Sequence, residues 1–103
     1  MEAFQCPFLG GLVELNDERE RHIAEKHSQL LPNRPDHIAT TLADPDLILR
    51  KDPEDETILF YRWFYDLDKY VLVAVVNHPG RDWIITAFVT RRLQRGEIIW
   101  QRR

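Results

Sequence analysis

Two hydrophobic periods divide the chain. Between residues 15 and 30, Leu15, Ile23 and Leu30 recur at helical spacing, with Arg19 and Lys26 at or near the same stripe. Asn16 and Asp17 are N-cap candidates, Glu18 and Glu20 suit a first turn, and Pro32 is a stop, so a helix is predicted over residues 17–29. Pro35 fits the first position of a second helix that carries His37, Ile38, Thr41 and Leu42 and closes at Asp44-Pro45. Beyond that point the period falls to two. Residues 47–51 are a short candidate strand, and residues 57–65, 70–77 and 83–90, each rich in β-branched and aromatic side chains, read as strands. The turns at 66–69 and 78–82 are of hairpin length, which predicts antiparallel neighbours. Ile98, Ile99 and Trp100 add a brief strand or pack as a tail, and Pro7 with Gly10-Gly11 rules out a helix in the apolar first 13 residues. The expected fold is a single α+β domain over residues 1–103: two N-terminal helices packed on a roughly four-stranded antiparallel β-meander, with 1–14 as an arm.

Alternation assigns faces to the strands. Ile58, Phe60, Arg62 and Phe64 share one side of theirs; Leu59, Tyr61, Trp63 and Tyr65 share the other. On the last long strand, Trp83, Ile85, Ala87 and Val89 are expected on one face and Ile84, Thr86, Phe88 and Thr90 on the other. Two helices cover one face, so the second is expected to remain half open as a binding cleft.

Composition changes this picture little, but charge does. Apolar residues make up 44% and charged residues 30% of the chain, an ordinary globular mixture. The net charge of −3 argues against a protein that coats nucleic acid by bulk charge. The distribution is uneven: residues 1–80 hold 15 acids against 8 Lys and Arg, whereas residues 81–103 hold 6 Arg against 2 acids. A small cationic site therefore stays open. The one cysteine, Cys6, forbids an internal disulfide and reads as a small buried side chain. No apolar run approaches the roughly 20 residues of a spanning helix, and neither a signal peptide nor a membrane partner is expected; the expected location is cytoplasmic.

The segment from Glu18 to His27 carries the most pointed chemistry. Cations at Arg19 and Lys26 beside an apolar stripe must snorkel or meet an anion, and His22 and His27 flank them. One reading is a phosphate site with an imidazole for proton transfer; the other is a solvated face whose cations pair with Glu18, Glu20 and Glu25. Thr86 and Thr90 share a parity just before Arg91 and Arg92, a hydroxyl-and-guanidinium end suited to phosphate or to a protected strand edge. Tyr61, Arg62 and Tyr65 divide likewise between base stacking and packing. His22 and His27 are five positions apart, poor spacing for one metal ion, and no metal is expected.

The order RHIAEKH, LADPDLILR, ILFYRWF, YVLVAVV and WIITAFVTRRL, spanning about residues 15–100, resembles a phage-associated family of predicted nucleases. That family is grouped with barnase, EndoU, colicin and RelE toxins as the BECR superfold, in which a helical pair packs on an antiparallel sheet. The resemblance implies a toxin-like, metal-independent endoribonuclease without cofactor, in which a histidine assists attack of the ribose 2′-hydroxyl on phosphate. Carried over by position, His22 or His27 is the acid/base group and Thr86 matches the family's strand threonine. Arg19, Lys26, Arg50, Arg62, Arg91 and Arg92 are the candidate phosphate-binding cations. The implied partners are RNA and a cognate antitoxin or immunity protein; a homodimer is compatible. The alternative is a non-catalytic protein-interaction domain, motivated by the apolar arm from Phe4 to Leu12 and the excess of aromatics.

Overall fold

The computed structural model describes residues 1–103. The chain runs β1 (Glu2–Cys6), a 3-10 turn (Pro7–Leu9), β2 (Gly11–Leu15), α1 (Asp17–Lys26), α2 (Pro35–Ala43), β3 (Leu47–Arg50), β4 (Thr57–Phe64), β5 (Lys69–His78), β6 (Arg81–Thr90) and β7 (Glu97–Gln101). This corrects the expected fold class. The sheet has seven strands rather than four, in the order β1-β2-β6-β5-β4-β3-β7, and it is mixed because β2 runs parallel to β6. The helices are not both N-terminal, because a hairpin precedes them.

The expected arm is that hairpin. Pro7 sits at the first turn position and Gly10 adopts φ 79°, a left-handed conformation that glycine enters without strain; together they reverse the chain and bring β1 against β2. The residues that exclude a helix therefore mark a turn between strands. At α1 the Asn16 side chain accepts a hydrogen bond from the Arg19 backbone N–H (2.8 Å), and the helix stops at Lys26, three residues short of expectation. Pro35 opens α2.

The core lies between the helices and one face of the sheet. Ile23 of α1 and Ile38 and Leu42 of α2 pack with Ile48, Ile58, Phe60, Val71, Val73, Val75, Ile84 and Ala87. Cys6 is buried there too, and burial pushes its thiol up. A register shift between β5 and β6 sets Ala74 opposite Thr86 and Val75 opposite Ile84, so Ile85 is an extra, bulged residue. The bulge overturns the expected alternation, since Ile84 now shares the core face with Ala87 and Val89.

The second face is not a half-open cleft along its length. Leu47, Leu49, Leu59, Tyr61, Leu72 and Ala74 form a buried cluster there. Residues 91–96 cross from the end of β6 to β7, which pairs with β3 at the far side of the sheet. The Gln94 backbone N–H donates to the Tyr61 hydroxyl (3.0 Å) as the strap passes over, and Gly96 lies so close to Arg50 that a Cβ would stand 2.6 Å from its carbonyl oxygen.

Candidate functional site

What the strap leaves on the second face is set by strand register. Trp63, Tyr70 and Thr90 form one row across β4, β5 and β6; Tyr61, Leu72 and Phe88 form the next; Leu59, Ala74 and Thr86 form the third. On its outer side β6 meets β2 only at Trp83, opposite Glu14. α1 packs against β6 and straddles its edge: Ile23 enters the core on one side while the His27 ring meets Phe88 on the other.

The His27 and Phe88 ring centroids are 5.3 Å apart and tilted by 34°, and the His22 ring stands edge-on to His27 at 6.2 Å. Partial burial, and then the neighbouring His22, push the His27 imidazole below the ordinary histidine value of 6.5. The other two histidines are committed elsewhere: His37 Nε2 is 2.9 Å from Asp66 and His78 Nδ1 is 2.7 Å from Glu56. The rings of His22 and His27 have no hydrogen-bond partner among the side-chain bonds of the fold. Two residues along β6 from Phe88, the Thr86 hydroxyl is buried and unpartnered. Buried hydroxyls are normally bonded, and leaving one unpaired costs on the order of 1–3 kcal/mol.

The candidate cations divide by face. Arg62 lies on the helix side, where it donates to the Asp44 carboxylate (2.9 Å) and sits over Phe64. Arg50 shares that side by register with Ile58. Neither approaches the histidines from the second face. Arg91 has one weak ion pair, 3.7 Å from Asp68, while Arg92 is exposed and its backbone N–H donates to the Thr90 hydroxyl (3.1 Å). Arg19, half-buried on α1, and Lys26, exposed at its end, form no ion pair, so the expected balancing of these cations by helix carboxylates is absent. Tyr61 is buried under the strap, Arg62 is a clamp, and Tyr65 is 92% exposed.

Two features carried no motif. Arg95 rides on the strap as a further exposed, unpaired cation. Arg102 donates to Asp46 Oδ1 (2.9 Å) and to the Asp44 carboxylate, while Asp46 Oδ2 accepts from the Trp63 backbone N–H (2.8 Å). Asp44-Pro45-Asp46 is thus a structural knot that joins α2, β4 and the C-terminal segment. Arg102 and then Arg62 hold the Asp44 carboxyl below its usual range. No three His, Cys, Asp or Glu side chains converge as a metal site, and no helix is long and apolar enough to cross a membrane.

No known protein family, curated protein or solved structure matches the chain.

Proposed function

We propose that the chain is a toxin-like, metal-independent endoribonuclease whose site is the α1–β6 corner of the second face. The observation that carries the reading is the pair of packed but unpartnered imidazoles, His22 and His27, beside Phe88 on the strand face that also bears Thr86 and Thr90. His27, depressed by burial, is neutral at pH 7 and takes the proton of a ribose 2′-hydroxyl. The 2′-oxygen bonds to phosphorus as the bond to the 5′-oxygen breaks, and His22 protonates that leaving oxygen. The products are a 2′,3′-cyclic phosphate and a 5′-hydroxyl. Thr86 supplies an unused donor for a phosphate oxygen once substrate parts the side chains above it. Lys26, one turn along α1 from His22, Arg92, whose backbone N–H donates to the Thr90 hydroxyl, and Arg95 on the strap are the unpaired cations next to this corner; Arg50 and Arg62 lie on the helix side of the sheet. A protein inhibitor covering this corner is the partner such an activity calls for. The alternative of an interaction domain is favoured by a different surface, the edge of β7, where Ile98 and Trp100 stand exposed.

Purified protein incubated with transfer RNA and total RNA, with and without EDTA, tests the reading. Cleavage to cyclic-phosphate ends is expected in both conditions, with a loss of 100-fold or more, roughly, in His27→Ala. The acid limb of the rate profile is expected below pH 6.5 and should move up, though not fully to 6.5, in His22→Ala, because burial is the larger cause. An intact RNA pool across pH 5–8 at stoichiometric protein rejects the assignment.

A further inference from the structure

The two edges of the sheet differ in kind. β1 exposes Glu2, Ala3 and Gln5, and the chain before it is tied down by the Met1 ammonium on Asp17 (2.6 Å). β7 pairs with β3 on one side only and presents its other backbone edge unpaired. It carries no proline or lysine, and it exposes Ile98 (54%) and Trp100 (38%). Trp100 also walls a mostly apolar groove of about 300 Å³ with Pro7, Phe8, Ala43, Pro45 and Ile48, with Asp44 as its one charged wall and Phe8 42% exposed in it. Its one blunting device is a bulge at Ile99, created by the register shift against β3. An unpaired apolar edge of this kind is a template for another strand.

The charges at the ends of β7 select the strand. Glu97 opens it and Arg103 follows it, and neither forms an ion pair within the chain, whereas Arg102 is committed to Asp44 and Asp46. Antiparallel pairing with an identical strand about a two-fold axis at Trp100 sets each Glu97 opposite the partner's Arg103. It also places the two Trp100 side chains face to face across the axis, an aromatic cross-strand pair flanked by both grooves. Parallel pairing would align like charges instead.

We propose that β7 pairs antiparallel with β7 of a second copy of the chain, giving an isologous dimer with one continuous sheet. The interface is separate from the α1–β6 corner and stands whether or not that corner cleaves RNA. Light scattering and sedimentation of the purified chain over a concentration series should give twice the 12.3 kDa chain mass at high micromolar concentration. Glu97→Arg should weaken the dimer about tenfold, since two like-charge contacts replace two favourable ones, and Arg103→Glu should do the same. The double exchange should restore wild-type association. Both positions are exposed, so unchanged circular dichroism and melting in the variants exclude misfolding as the cause. A mass that stays at 12.3 kDa up to about 1 mM overturns the proposal. So does a dimer indifferent to Glu97→Arg, one not rescued by the double exchange, or assembly beyond the dimer.

Discussion

Among the four histidines, bonding partners separate two kinds. His37 stacks on Phe64 at 4.2 Å and bonds Asp66, fastening α2 to the β4–β5 turn, and His78 bonds Glu56 at the opposite end of the sheet. The His37 bond holds the Asp66 carboxyl below its ordinary value of 3.8. Its stabilising contribution is therefore present above that value and lost as pH falls through the lowered one. The lowered His27 value acts with the same sign at higher pH: below 6.5 the unfolded chain binds the proton more readily, so acidification costs stability. In the sequence, RHIAEKH singles out the two free histidines because cations without an apolar reason surround them. Which arginines join them was not legible, since that depends on the face each strand residue takes. Thr86 offers the residue-scale test. Its hydroxyl has no partner, so Thr86→Val should leave stability within about 1 kcal/mol of wild type, or raise it, in denaturant titration. Cleavage should fall in the same variant. A loss of several kcal/mol would mean that the hydroxyl is bonded in solution, and unchanged cleavage would remove Thr86 from the site.

The elements legible in the sequence are those with strong local patterns. β4 and β6 follow from runs of β-branched and aromatic residues, β5 from a continuous apolar run buried on both faces, β3 from a short apolar run, and both helices from their caps and prolines. β1 and β2 are five residues each, and the Pro7 and Gly10 that break helical periodicity serve as their turn. The bulge at Ile85 defeats alternation outright, because one inserted residue moves everything before it to the other face. The strap was illegible for a different reason. It has no period of its own, and its path follows from where β7 pairs. Gly96 is where that path is tightest, since a Cβ there would meet the Arg50 carbonyl oxygen at 2.6 Å and its carbonyl carbon at 3.3 Å. Both are backbone atoms and cannot turn aside. Gly96→Ala should therefore destabilise by about 1–3 kcal/mol in a thermal or denaturant melt. Tyr61→Phe, which loses only the bond from Gln94, should cost about 1 kcal/mol. Equal stability of Gly96→Ala and wild type would place the strap elsewhere.

At the scale of the whole molecule, the charge asymmetry takes on a definite layout. Of the six arginines in the last 23 residues, Arg81 pairs with Glu14, Arg102 with Asp44 and Asp46, and Arg91 loosely with Asp68. Arg92, beside Thr90, and Arg95, on the strap, then remain unpaired, and Arg103 follows β7 at the sheet edge. Half of these arginines brace the fold, one of them loosely, and about three unpaired cations, Lys26, Arg92 and Arg95, adjoin the α1–β6 corner and the strap. Counterion release makes that countable. Each neutralised phosphate of a single strand contributes about −0.7 to the slope of log K against log salt concentration, so the slope here should be about −2. A non-cleavable oligodeoxynucleotide titrated between 50 and 200 mM salt, roughly, measures it without any contribution from chemistry. Arg92→Ala should make the slope shallower by about 0.7, and Arg50→Ala, on the opposite face, should leave it unchanged. A slope steeper than about −5 would require a far larger cationic track than this face provides, and equal effects of the two substitutions would dissolve the distinction between the faces.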